Sequence, residues 1–193
     1  MNPKKYTIPY RRKREGKTNY KKRLRLLLSG KPRLVVRGFL KNISAQIIEY
    51  SSQGDKVLAA SNGYELEAFG WKFSKGNVPA AYLTGLLIGK RATEKGIKDA
   101  ILDAGLKNPT DGSRIYACFM GAIDAGMNIP HSKEVFPSKE RIAGKDIAAY
   151  SNKLKANKTK YEKVFSGYIK KGLDPADMPR IFEEVKNKIK VKK

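Results

Sequence analysis

Positive charge in this chain is segregated along its length, and that segregation limits which parts can fold around which. Residues 1–41 hold fifteen of the 41 Lys and Arg against a single acid, Glu15, so the first fifth carries +14 of a net +23. Residues 145–193 add +8, and residues 42–144 come to only +1. Desolvating an unpaired ion costs far more than burying a methylene returns, so a packed core has to be built where unpaired charge is scarce. The near-neutral middle is therefore the place for the domain, and the two basic ends must keep their charges at its surface. Charge of this density points to a polyanionic partner. Nucleic acid fits it better than lipid, because a membrane-surface helix wants Trp, Phe or Leu opposite its charges and only residues 18–29 approach that pattern.

With 193 residues, 40% of them apolar, the chain is long enough for one compact domain with appended segments. Three parts are expected: a basic arm over residues 1–16, an α/β globular domain over 17–130, and a helical basic C-terminal extension over 131–193. Apolar runs such as Leu86-Leu87-Ile88 fall far short of the roughly 18 residues that a membrane span needs. No apolar stretch follows the first basic residues, so no secretory signal is expected, and the lone Cys118 suits a reducing compartment. The reading is a soluble, cytoplasmic protein. The arm, with Pro3, Pro9, Gly16, Lys4, Lys5 and the run Arg11-Arg12-Lys13-Arg14, has too little apolar area to fold alone and is expected to order on its partner. Tyr6 and Tyr10 stand among its charges, where rings can stack on unpaired bases while the cations take phosphates.

From Thr18, a candidate cap, the spacing of Tyr20, Leu24, Leu27 and Leu28 predicts a helix that Gly30 and Pro32 end, its leucines in core contact. Its other face holds Lys17, Lys21, Lys22 and Arg25 with no acid one turn away. Three strand-like runs follow, 33–37, 44–50 and 57–61, and read as an antiparallel meander. Alternation puts Leu34 and Val36 on one face of the first strand and Arg33, Val35 and Arg37 on the other, with the arginines standing off the sheet. Gln46 and Tyr50 share a half-apolar face with Ile48 in the second strand. Asn77 caps a long helix to about Lys95 with Ala80, Leu83, Leu87 and Ala92 inward, and Gly85 and Gly89 suit close approach of another element. A strand over 97–102, a helix over 113–125 stopped by Gly126, and helices near 142–155 and from about Met178 to Ile189 complete the pattern. Trp71 is expected in the core. The fold class is α/β, a mixed sheet covered by helices.

Candidate chemistry is thin. Gly85-Leu86-Leu87-Ile88-Gly89-Lys90-Arg91 has three residues between its glycines where a phosphate loop needs four, and Arg where that loop has Ser or Thr. His131 has no second ligand at metal spacing, and Cys118 has no evident base. Asp99, Asp103 and Asp124 are the carboxylates best placed for acid/base work, and without a nucleophile or ligand cluster they read as surface or capping groups. Neither catalysis nor a cofactor or metal is expected. Composition and pattern carry the reading as far as a basic, non-enzymatic nucleic-acid binder; a DNA- or RNA-compacting protein stays open on those grounds, and an RNA-modifying enzyme lacks its constellation.

Six blocks go further: Arg14-Glu15-Gly16-Lys17-Thr18-Asn19-Tyr20, Arg33-Leu34-Val35-Val36-Arg37, Ala80-Ala81-Tyr82-Leu83-Thr84-Gly85-Leu86-Leu87, Gly112-Ser113-Arg114-Ile115-Tyr116-Ala117, Asp124-Ala125-Gly126-Met127-Asn128-Ile129-Pro130-His131-Ser132, and Phe165-Ser166-Gly167-Tyr168-Ile169-Lys170-Lys171-Gly172. In this order they resemble the archaeal-type large-subunit ribosomal protein L-eighteen family, called L-five in eukaryotes, whose members bind 5S ribosomal RNA. The resemblance implies a mixed sheet with helices on both sides and a place in the central protuberance of the large subunit. It also implies 5S RNA, 23S RNA and the L-five protein of the 5S particle as partners. Matched by position, the implied RNA contacts are Arg11, Arg12, Arg14, Lys17, Asn19, Tyr20, Lys21, Arg23, Arg25, Arg33, Arg37, Lys41, Asn42, Ser44 and Gln46. The basic C-terminal segment is implied to meet 23S RNA or neighbouring proteins.

Overall fold

The computed structural model describes residues 7–191, so Lys4, Lys5 and Tyr6 of the arm lie outside the described residues. β1 (Arg33–Gly38), β2 (Ile43–Glu49) and β3 (Lys56–Asn62) form the expected antiparallel meander, and β4 (Ile101–Asp103) adds in parallel beside β1. The order is β3-β2-β1-β4, a mixed sheet. β4 is shorter than the apolar run from Ile97 suggests, because Asp99 leaves the ladder to bridge Asn128.

One face of the sheet is covered by α3 (Val78–Glu94) and α4 (Arg114–Asp124). α3 starts where Asn77 accepts the Ala80 N–H, with Pro79 in its first turn, and is buried nearly all round from Pro79 to Gly89. Its glycines explain how: a Cβ on Gly85 would overlap the Cys118 carbonyl of α4, and one on Gly89 would lie 2.8 Å from the Ala122 oxygen. From the facing side, a Cβ on Gly121 would overlap the Tyr82 carbonyl. The two backbones meet through missing side chains, and the rest of the core, Leu34, Val36, Ile43, Ala45, Ile47, Leu83 and Phe119 among it, closes between helices and sheet. Trp71 is fully buried, its indole N–H donating to the Ser74 carbonyl. Among the described residues, no comparable helical layer covers the opposite sheet face over Ser44 and Gln46, which are half-buried, or over Ala60, which is exposed.

The C-terminal residues are part of the same body. α5 (Lys139–Ala143) and α6 (Lys145–Lys155) replace the single helix that the pattern from Ile142 suggested, broken at Gly144 where φ is +80°. α7 (Lys158–Ile169), which the periodicity did not disclose, packs Phe165 against Tyr150, Tyr161 and Tyr168. α8 (Met178–Val191) sends Met178, Phe182, Val185 and Ile189 into the main core, with Asp174 capping the turn that leads into it. The Lys90 ammonium donates to the carbonyls of Ile189 and Lys190. No helix among the described residues is long and apolar enough to cross a membrane.

Candidate nucleic-acid interface

The basic N-terminal residues turn back on themselves. α1 (Arg11–Arg14) is a single helical turn with no buried residue, and it leads into α2 (Tyr20–Leu27). Asn19, not Thr18, caps α2 by accepting the Lys22 N–H; Thr18 instead accepts from the Arg12 Nε at 2.9 Å. The Tyr10 and Tyr20 rings meet at 5.1 Å, which closes the turn. The leucine stripe is not core contact as expected: Leu24 is 61% and Leu28 78% exposed, and only Leu26 and Leu27 are half-buried. Helical spacing shows which residues share a side, and here the side they share faces away from the core.

What ties α2 to the sheet is charge. Arg23 donates both terminal nitrogens to Asp55, at 2.9 and 2.7 Å, and Arg33 donates to the same carboxylate at 2.7 Å. The other arm of the Arg33 fork reaches Asp103 at 2.8 Å. Asp103 also accepts from Arg37 at 3.2 Å, while Arg37 further donates to the carbonyls of Val36 and Asp103. Two expectations are corrected here. Arg33 does not stand off the sheet: at 3% exposure its guanidinium is enclosed between two carboxylates, because a buried Arg is tolerated only when its fork is paired. Asp103 is no ordinary surface acid, being buried as the shared counter-ion of Arg33 and Arg37.

The titration directions agree with this geometry. Hydrogen bonds from Arg23 and then Arg33 hold the Asp55 carboxyl below its ordinary range, and the same bond raises Arg23. Burial pushes Asp103 upward, but Arg37, the Gly105 N–H and Arg33 together outweigh it and leave the carboxyl lowered. Both acids are ionised at neutral pH.

α2, α1 and the β1–β4 edge enclose an open cleft of about 480 Å³ lined by Arg12, Lys17, Asn19, Tyr20, Lys22, Arg23, Arg33, Arg37, Asp55 and Asp103 among others. Seven of the fifteen residues singled out from sequence therefore meet in one place. Arg11, Arg14, Lys21 and Arg25 are exposed but do not line it. Ser44 and Gln46 share the open face with Arg37 and Val35, their cross-strand partners, and Lys41 is exposed at the β1–β2 loop. Asn42 is a further correction: it is 8% exposed and donates at 2.6 Å to Asn62, the residue that caps the 3-10 helix Gly63–Phe69, so it braces that loop from inside. The signal that would have exposed these inward roles, the Asp55 and Asp103 pairings, spans up to 70 residues of chain.

Elsewhere the candidate chemical groups are engaged structurally. Burial pushes the Cys118 thiol up to about 12. Asp124 accepts from the Tyr82 hydroxyl at 2.8 Å, Asp99 pairs with Lys31 and Asn128, and His131 Nδ1 lies 2.7 Å from the Ile129 carbonyl. Gly85 to Arg91 lie within α3, as expected for helix packing glycines.

The sequence pattern of one family, described as ribosomal large subunit proteins 60S L5 and 50S L18, matches this chain over residues 4–100 and 93–132. The matched span takes in the arm, α2, all four strands and the α3–α4 pair, which is the whole of the cleft and its support. It covers well over half of the 193 residues, takes in five of the six blocks, all but the one over 165–172, and agrees with the α/β fold. Membership places the protein on the ribosome in the cytoplasm, among ribosomal RNA and other ribosomal proteins. The chain belongs to the family of ribosomal large subunit proteins 60S L5 and 50S L18, and is a structural constituent of the large ribosomal subunit.

Proposed function

We propose that this protein binds 5S ribosomal RNA and helps attach it to 23S RNA in the central protuberance, beside the L-five protein of the 5S particle, without catalysing a reaction. One observation carries the reading: Arg12, Lys17, Lys22 and Arg37 line a single cleft beside α2, and the acids within that cleft are already paired to arginines. Arg11, Arg12, Arg14, Lys17, Lys21, Arg25, Arg37 and Lys41 then take phosphates, which supply most of the affinity. Asn19, Tyr20, Ser44 and Gln46 fix register on the RNA by hydrogen bonding and stacking. Arg23, Arg33 and Asn42 support these contacts from within the protein.

A filter-binding competition between 5S RNA and duplex DNA of equal length tests the reading. Clear preference for 5S RNA is expected, together with loss of binding by orders of magnitude when residues 1–16 are deleted and little change in the thermal melt. Equal affinity for duplex DNA would support a general nucleic-acid-compacting protein instead.

A further inference from the structure

Carboxylates in a phosphate-binding surface ought to weaken it, since each repels the ligand. Two nevertheless sit in this cleft, and neither is incidental. From α2 across β1 to β4 runs one alternating chain, Arg23, Asp55, Arg33, Asp103, Arg37, with every step between 2.7 and 3.2 Å. We propose that Asp55 and Asp103 are positioning residues of the RNA site, anions that hold α2 and Arg37 in their binding geometry; the inference rests on the RNA-binding reading above.

The need for such a device is visible in α2. It buries no residue, and Leu24 within it and Leu28 at its C-cap are exposed, so apolar packing does little to fix its rotation about its own axis. The Arg23 fork on Asp55 does fix it. Lys21 and Arg25 lie two positions either side of Arg23, about 200° around the helix, so anchoring Arg23 inward turns both cations outward. At the other end of the chain, Arg37 lies across Gly105, where a Cβ would come within 2.9 Å of its guanidinium carbon. Gly105 in turn donates its N–H to Asp103 at 2.7 Å and adopts a φ of +66°. Arg37 is thereby laid flat over backbone with its side chain still 39% exposed. Each fixed cation loses less freedom when RNA binds, and that saving exceeds the repulsion from carboxylates whose charge is already neutralised by two arginines apiece.

The test is Asp55→Asn, nearly isosteric and one negative charge fewer. Coulomb attraction alone demands tighter RNA binding. Positioning demands the reverse: 5S RNA bound about tenfold more weakly, faster amide hydrogen exchange confined to residues 20–28 of the free protein, and recovery of most of both losses by Asp55→Glu. Unchanged or tighter binding of 5S RNA by Asp55→Asn overturns the inference. So does a general loss of amide protection, which would make Asp55 a residue of the fold and not of the site. Wild-type protein that binds duplex DNA as well as 5S RNA overturns the reading of the partner, while the exchange pattern of the free protein still reports on the latch.

Discussion

The pairing pattern fixes how steeply binding should respond to salt. Ten cations belong to the contact set inferred from sequence: Arg11, Arg12, Arg14, Lys17, Lys21, Arg23, Arg25, Arg33, Arg37 and Lys41. Arg23, Arg33 and Arg37 share Asp55 and Asp103, and Arg11 and Lys17 share Glu15 at 3.6 and 2.9 Å. That leaves Arg12, Arg14, Lys21, Arg25, Lys41, one of the Glu15 pair and one charge of the three arginines on two acids, Arg37 being the most exposed of them, or about seven charges free to displace counterions from phosphates at 0.7 to 0.9 each. The slope of log affinity against log salt is then roughly −5 to −6, and affinity falls by about 900- to 6,000-fold between 50 and 200 mM salt. Filter binding or fluorescence anisotropy with 5S RNA reads it directly. Lys21→Ala with Arg25→Ala should flatten the slope by about 1.5, and Glu15→Gln should steepen it by about 0.8. A slope of about −7 to −9 would mean that all ten cations engage phosphates and that the internal pairs open on binding. A slope near zero would refute phosphate binding altogether.

Gly105→Ala combines a left-handed backbone with a clash under Arg37; a stability loss of about 1–2 kcal/mol is expected, with 5S affinity falling beyond what a simple melt shift would cause. Gly85→Ala would stabilise an exposed helix, but here the new methyl meets the Cys118 carbonyl of α4. About 3 kcal/mol of destabilisation is expected, a Tm lower by about 6–12 °C in a chain of this size, read by the fluorescence of the single Trp71; an unchanged Tm would show that the helices can separate freely. Because burial raises the Cys118 thiol to about 12, an aromatic disulfide reagent at pH 8 should label it only after denaturation. Asp55 titrates below its ordinary value of 3.8, so its contribution is complete above that pH and is lost as acid reaches the lower folded value. Protection of the α2 amides, taken relative to their intrinsic exchange at each pH, should therefore stay constant from neutrality to about pH 4 and fall below it; opening at pH 5 to 6 would implicate a different group.

The parts of the fold legible in sequence are those that short-range pattern dictates. Alternation placed Leu34 and Val36 inward, Asn77 and Pro79 marked the start of α3, and the Gly85, Gly89 pair announced a close helix contact, all of which the structure contains. The failures share one cause. Strand alternation assigned Arg33 to the outer face correctly, yet exposure on that face depended on Asp55 and Asp103, which lie 22 and 70 residues away. α2 shows the converse, since helical spacing of leucines established amphipathicity but not that a core lay opposite them. α7 escaped notice because it buries only Phe165 and its tie to the main core is a single ring, Tyr168 against Phe73, far away in sequence.

The basic arm and the neutral middle are therefore less separate than their charges suggest. A +14 segment repels itself, and no acid within it beyond Glu15 can order it. The middle supplies what is missing: its turn between β2 and β3 lends Asp55, and the end of β4 lends Asp103, each at the cost of one negative charge near the RNA. Were the carboxylates merely tolerated, unpaired surface positions would serve them better than places against two arginines each, one of them, Asp103, buried. Placed there, they convert part of a large, loosely attractive charge into a smaller number of cations held at fixed positions. RNA recognised by shape and backbone requires cations at fixed positions more than it requires the largest possible charge.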